Sequence, residues 1–339
     1  METIAMHNRK YIATLVIALA VAFTSQAPAQ EESISDTIKA ISKRKTKKQK
    51  YLLAYNLKVG DKLRWKQDHQ ILNKSRISGS VEETTSTRTQ SQFVWEVKSV
   101  DARNQTRFEI ALDKIKVWSK VGENKPETYD NADFKPTDTK GIPDSCRAYH
   151  ERVGRVSSSY TIAPNGTITA KKSNYPSVKL GGIGDAPLIA FPGEAIVVGH
   201  RWDIHDSLRA RDEYGVYKSL NVRVRYELDK VVDGKAYISF ETDILTPLNS
   251  EKVNSQIINH MTRGVAVFDI ARGMLVHREL RWDEKVVGYE GPDSFLVYQA
   301  KRTEKLVVDS PEASTKTKAT RSVDSNVRQA TMLAPLEGK

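Results

Sequence analysis

Apolar and polar side chains alternate along much of the middle of the chain. Phe93, Trp95 and Val97 occupy every second position, and the same pattern returns at residues 108–112 and 222–228. Successive side chains of a strand point to opposite faces, so this pattern predicts antiparallel strands with one buried and one solvated face. No long helical pattern competes with it. The sequence therefore predicts a mainly β fold with few short helices.

Tight-turn signals separate several of these runs. Asn165-Gly166, Asp233-Gly234 and Arg272-Gly273 each place a glycine between two predicted strands. Glycine tolerates the positive φ that short hairpin turns require, so each pair predicts a β-hairpin.

Two stretches of the chain follow one plan. The matched segments are 59–63 with 198–202, 95–97 with 226–228, 108–109 with 240–241, and 162–166 with 270–273. The first stretch is longer, chiefly through a polar insertion at 119–145. This internal repeat predicts two similar curved antiparallel sheets, a half-barrel-like tandem repeat, which pack on each other or form one continuous open barrel.

These patterns divide the chain into six parts. A Gly- and Pro-containing stretch indicates a linker between the repeats, and the C-terminal end is rich in Ser, Thr, Lys and Ala. The predicted parts are a signal peptide (1–29), a basic linker (30–50), β repeat 1 (51–175), a linker (176–193), β repeat 2 (194–300) and a disordered tail (301–339).

The N-terminal residues have the layout of a cleaved secretory signal. Arg9 and Lys10 precede an apolar run at 11–23, and the small residues Ala27 and Ala29 precede the expected cut before Gln30. As a helix this run reaches about 20 Å, less than the hydrocarbon layer. An uncleaved membrane anchor is the alternative. We expect a secreted or periplasmic protein without a transmembrane span after cleavage.

The chain is basic, with 53 Lys and Arg against 42 Asp and Glu. Most of the excess lies at the two ends, so the centre lacks the concentrated basic face that nucleic-acid binding requires, and no nucleic-acid partner is expected. Residues 31–50 place Ile34, Ile38 and Ile41 on one helical face before a Lys/Arg run. This segment is either a weak contact for anionic lipid or wall polymer, or a solvated linker.

Catalytic and metal motifs are sparse. None of the seven histidines has a zinc-binding spacing; His200 and His205, beside Asp203, would face opposite sides of one strand. No metal or other cofactor is expected. No nucleophile-elbow motif occurs, although catalytic groups can assemble from distant segments, so the sequence leans against an enzyme without deciding it. Cys146 is the single cysteine and is buried, free or bonded to a second chain.

Tryptophans are the candidate ligand-binding residues. Aromatic side chains often line apolar grooves, and Trp65, Trp95, Trp202 and Trp282 are predicted to do so here, with Trp118 completing the set of five. Sheet core is the alternative role for these residues.

Two phrases of the sequence carry a family resemblance. Residues 191–202, Phe-Pro-Gly-Glu-Ala-Ile-Val-Val-Gly-His-Arg-Trp, and residues 268–273, Phe-Asp-Ile-Ala-Arg-Gly, resemble a family of exported bacterial envelope proteins with no assigned function. The resemblance covers about residues 51–305. It implies an exported β-rich half-barrel, loosely similar to periplasmic lipoprotein carriers, and carries over no catalytic residue. Many relatives have a lipid-attachment cysteine that this chain lacks.

Together these observations predict an exported envelope protein with a non-enzymatic binding or scaffold role. Its concave β surface would hold an apolar ligand or a protein partner. Two alternatives stay open: a hydrolase with a dispersed active site, and a structural protein that binds anionic wall polymer through its basic arms.

Overall fold

The computed structural model describes residues 49–138, 140–175 and 187–307, and within them twelve strands form one antiparallel sheet. The alternating patterns predicted as strands lie in strands. The strands are β1 (Lys62–Arg76), β2 (Glu83–Val100), β3 (Thr106–Val121), β4 (Glu127–Asp130), β5 (Val156–Ile162), β6 (Ile168–Ser173), β7 (Arg201–Arg211), β8 (Tyr217–Val232), β9 (Lys235–Ile244), β10 (Arg263–Asp269), β11 (Met274–Val287) and β12 (Phe295–Val307).

The sheet consists of two meanders joined edge to edge. Its order is β6-β5-β3-β2-β1-β12-β11-β10-β9-β8-β7, with β4 added beside β3. The join is the pairing of β1 with β12, from Arg64 opposite Val307 to Arg76 opposite Phe295. We call this pairing the seam. The sheet is open, with β6 and β7 as its edges. The mainly β antiparallel fold class is confirmed, and the two expected sheets are halves of one continuous sheet.

Each half has the same kind of turn before its first strand. Gly60 donates its backbone N–H to the carbonyl of Val97 at 3.0 Å, and Gly199 donates to Leu228 at 2.7 Å. Both glycines have positive φ, +89° and +84°, a conformation that other residues rarely adopt. A register irregularity follows in the second strand of each half. Each half also carries a short helical insertion after its third strand. The halves are therefore built on the same plan.

One match between the halves needs correction. Val97 lies opposite Phe108, whereas its counterpart Leu228 lies opposite Ile238. Phe108 therefore corresponds to Ile238, not to Phe240. A shift of two residues keeps every side chain on its face, so the apolar pattern alone does not distinguish the two alignments.

Two irregular segments fill the face of the sheet that carries the hydrophobic core, here called the core face. The first strap, residues 51–57, buries Leu53 and Leu57, and the second strap, residues 187–196, buries Ile189 and Phe191. The backbone N–H of Ile189 donates to the Tyr55 hydroxyl at 3.0 Å. Residues 187–193 of the predicted linker thus pack in the core, because Ile189 and Phe191 supply apolar surface; residues 176–186 lie outside the described residues.

The first seven residues of the predicted tail, 301–307, belong to a strand. β12 continues to Val307, and Arg302 and Glu304 point into the core face. Charged residues are seldom fully buried unless they are paired, so the charges at these two inward-facing positions interrupt the apolar alternation that predicts a strand. The expectations for residues 1–48 and 308–339, including the signal peptide, lie outside the described residues.

The helices are short. α1 (Asp144–His150) follows β4, and α2 (Glu251–Ile257) follows β9. Within the described ranges, no helix combines the length and the apolar character needed to cross a membrane. Cys146 lies in α1, where it is buried and free.

Candidate functional site

The four predicted ligand-binding tryptophans lie in three places. Trp65 and Trp95 are buried together on the core face, with ring centroids 5.5 Å apart. Trp202 stacks on Tyr226 in the second half, at 5.4 Å. Trp282 packs beside His69, at 5.7 Å, close to the seam. The structure brings only the first two together, and ligand contact by these residues stays a prediction.

A group of polar side chains is buried on the core face at the seam. Arg278 donates from Nε to Glu304 at 2.6 Å and from Nη2 at 3.2 Å. Arg302 lies 3.2 Å from the same carboxylate. Gln67 and His69 face Glu304 and Arg302 from β1. We call these five residues the buried polar patch.

The electrostatics of this patch follow from its burial. Burial, and secondarily the positive charge of Arg302, lowers the pKa of His69 to about 4. Burial opposes the charge on Arg278 as well, but Glu304 outweighs it, so the pKa of Arg278 is raised. His69 is thus neutral at physiological pH, and the ion pair stays charged.

Little free space remains beside the patch. A cavity of about 10 Å³ lies between Trp65, Gln67, Trp95, Pro187 and Glu304. That volume suits about one water molecule. The straps therefore leave no room for a larger ligand at this point of the core face.

A larger space lies mainly on the opposite face, here called the outer face. It is a shallow, widely open groove of about 1050 Å³ over strands β10, β11, β12, β1, β2 and β3. By strand alternation, Gln70 and Leu72 point outward where His69 points inward. The lining residues are Gln70, Ile71, Leu72, Ser86, Thr87, Arg88, Gln90, Trp118, Arg263, Arg281, Trp282, Asp283, Gln299, Ala300 and Lys301. Of the four predicted tryptophans, Trp282 lines this groove.

One line of directly opposed residues forms the groove's central row. The row crosses six strands, and on three neighbouring strands, β12, β11 and β10, each residue of the row is a cation. In strand order the row is Trp118, Arg88, Gln70, Lys301, Arg281 and Arg263. The sequence does not mark these cations as site residues, because the row depends on the seam, which joins distant parts of the chain.

Carboxylates on one side of the row hold three of its four cations. Arg88 donates to Asp68 at 2.6 and 3.2 Å, and these contacts lower the pKa of Asp68. Glu279 lies 2.6 Å from Arg281 and 3.1 Å from Lys301. The cations nevertheless remain half-exposed or more, so donor atoms still face the groove.

The histidines at positions 69 to 277, which the structure describes, do not gather into a metal site. Among the described residues, no group of three or more His, Cys, Asp or Glu side chains is placed to hold a metal ion. His150 is buried against Tyr129, whose hydroxyl lies 2.9 Å from Nδ1, while His205 is exposed on β7.

Among known proteins, only solved structures show similarity to this chain. No family model matches the chain. No curated protein matches it either. A solved structure described as lipid–protein interactions in lipovitellin is similar, with 10% identity and a TM-score of 0.44, over 75% of this chain and 26% of that one. The chain thus spans about a quarter of that protein's length.

A second similar structure is DynF from the dynemicin biosynthesis pathway of Micromonospora chersina. It has 6% identity and a TM-score of 0.19, over 79% of this chain and 89% of that one. Neither likeness is close enough to carry an argument about function.

Proposed function

We propose that the protein is an exported, non-enzymatic binding protein of the bacterial envelope that holds its ligand in the outer groove. The observation that carries this proposal is the contrast between the two faces. Beside the buried polar patch the straps leave only about 10 Å³ on the core face, whereas an open space of about 1050 Å³ lies mainly on the outer face. Binding sites are usually concave surfaces with apolar walls and a few placed polar groups.

The composition of the groove supports a ligand of mixed character. Leu72 and Trp118 offer apolar surface, and the half-exposed Arg88 and Lys301 offer charge-assisted hydrogen bonds. The ligand would therefore carry acidic groups as well as some apolar surface, rather than being the purely apolar ligand expected from the sequence.

Sedimentation with washed envelopes of a Gram-negative bacterium tests this function. We expect the chain from residue 30 onward to sediment with them, and the double variant R263Q/R281Q to stay largely in solution. The matched control R103Q/K125Q removes two exposed cations from loops outside the groove and should sediment like the wild type. Equal sedimentation of both variants would contradict a binding role for the groove.

Export is tested separately. Expression of the full chain in a Gram-negative bacterium should yield a periplasmic product whose intact mass corresponds to a first residue of Gln30. A product that retains residues 1–29 in the membrane would support the anchor alternative instead.

A further inference from the structure

The central row of the groove has a regular spacing that a ligand can match. Neighbouring strands lie about 4.8 Å apart, so the five steps from Trp118 to Arg263 span about 24 Å. Lys301, Arg281 and Arg263 occupy three successive strands. A ligand that contacts the whole row must be extended, must run across the strands, and must present acidic groups at intervals.

The side of the row away from Asp68 and Glu279 is polar rather than strongly charged. Gln299 donates to Asp283 at 2.9 Å, and Ser86 and Leu72 lie opposite one another beside them. The Ser86 hydroxyl and the Gln299 amide can donate hydrogen bonds to hydroxyl groups and accept them, and the Asp283 carboxylate can accept them. The ligand that fits carries neutral hydroxyls as well as acids.

The charge of the groove is moderate. Its lining holds four cations (Arg88, Arg263, Arg281, Lys301) and one carboxylate (Asp283), and two further carboxylates pair with the cations from outside. A polymer with a phosphate at every unit gains most from a denser, uncompensated basic surface. A chain with fewer charges and more hydroxyls suits this lining better.

Trp118 stands at one end of the row with 38% of its surface exposed. An indole ring gives a flat apolar face with a polar edge, a combination that packs against the carbon face of a sugar ring. Arg88 lies directly opposite it on the next strand. The indole ring of Trp118 and the planar guanidinium group of Arg88 are therefore carried by neighbouring positions on adjacent strands.

The geometry points to a linear acidic polysaccharide as the ligand of the groove, lying across β3, β2, β1, β12, β11 and β10 in sheet order. One sugar ring would lie on Trp118, and carboxylates spaced along the polymer would pair with Arg88 and with the neighbouring cations Lys301, Arg281 and Arg263. This inference rests on the proposed function and specifies its ligand class. Arg88, Arg281 and Lys301 are held by Asp68 and Glu279, so little side-chain freedom is lost on binding.

Isothermal titration calorimetry with hyaluronan oligosaccharides, which carry a carboxylate on every second sugar, tests the inference. We expect binding that weakens as salt is raised, and no binding of dextran, a neutral polysaccharide. Arg281→Gln should weaken binding about tenfold or more, since it removes a charge-assisted contact. Trp118→Ala should weaken it about five- to tenfold. Arg103→Gln should bind like the wild type.

Several outcomes would overturn the inference. They are absence of hyaluronan binding, equal binding of dextran, and binding unchanged by both Arg281→Gln and Arg263→Gln, two exposed positions whose substitution leaves the core intact. Tighter binding of single-stranded oligothymidylate or of phosphatidylglycerol vesicles would instead assign the groove to nucleic acid or to lipid.

The envelope experiment separates the two proposals. If R263Q/R281Q loses envelope sedimentation but hyaluronan neither binds nor displaces the wild type from envelopes, the ligand class is wrong and the groove remains a binding site. If sedimentation does not depend on the groove, the proposed function itself fails.

Discussion

Glu304 holds two arginines inside the sheet. Its side chain is 4% exposed, and those of Arg278 and Arg302 are 12% and 8% exposed. A buried charge left without its partner is far more costly than an exposed one. The energetic importance of this carboxylate therefore comes from what its loss would leave behind.

We expect Glu304→Gln to lower the free energy of unfolding by about 3–5 kcal/mol, because both guanidinium groups would lose their counter-charge in the core. Urea denaturation followed by circular dichroism measures this. Glu227→Gln is the matched control: it breaks the exposed pair with Arg201 and should cost less than about 1 kcal/mol. Equal costs for the two variants would refute the argument from burial.

His69 makes stability depend on pH. Its folded-state pKa of about 4 lies below the ordinary value of 6.5, so the unfolded chain binds a proton that the folded chain excludes. Stability contributed by neutral His69 is thus present above pH 6.5 and is lost as the pH falls from 6.5 to 4. Burial lowers the pKa of His260 and His277 in the same direction.

In His69→Asn the slope of unfolding free energy against pH between 6.5 and 4 should be shallower than in the wild type. Denaturant titrations at half-unit pH steps measure the slope. His205→Asn changes an exposed histidine and should keep the wild-type slope. An unchanged slope in His69→Asn would mean that groups other than His69 cause the pH dependence of stability.

At the scale of elements, the hairpin between β5 and β6 locks the first strap. Gly166 has a φ of +86°, and a Cβ atom there would collide with the Ile189 carbonyl and the Tyr55 ring. Pro164 accepts a hydrogen bond from the backbone of Tyr55 at 2.7 Å. The glycine is therefore needed both for its conformation and for the space it leaves.

Gly166→Ala should destabilise the protein by at least about 2 kcal/mol more than Gly215→Ala, judged by thermal and urea unfolding. Gly215 also has a positive φ, of +78°, but a Cβ atom there meets nothing within 4 Å, so its substitution carries only the conformational cost, about 1 kcal/mol. Similar losses of stability at the two positions would mean that the strap moves enough to accommodate the added Cβ atom.

Local elements were predictable where local patterns decide them. The glycine of Asp233-Gly234 has a φ of +71° in its hairpin, as its sequence implied, and the alternation around Trp95 lies in β2. β12 was missed beyond residue 300 because its inward positions Arg302 and Glu304 are charged. The outer groove was missed because its row requires β1 and β12 to pair across more than 200 residues, and no local pattern encodes that register.

At the scale of the whole molecule, the seam determines where the fold ends. The last residues of β12 pair with the first residues of β1 and supply Glu304 to the core. A chain cut within β12 loses pairing and a buried counter-charge together. A chain cut after Val307 loses neither.

Deletion of residues 308–339 should leave the unfolding midpoint of the chain from residue 30 onward essentially unchanged. Deletion of residues 301–339, seven residues more, should abolish cooperative unfolding or yield insoluble protein, because Arg278 would be buried without Glu304 and half of β1 would lose its neighbour. Circular dichroism melts of both deletions measure this. Equal stability of the two deletions would support the predicted end of β repeat 2 at residue 300.

The seam also sets an order of events during biogenesis. A chain that emerges with its N-terminus first presents β1 at the start and completes β12 more than 200 residues later, so one edge of β1 stays without a neighbour throughout synthesis. The sheet can be completed only after β12 has been synthesised. Under the export proposed above, this late closure would leave the sheet incomplete while the preceding strands cross the membrane.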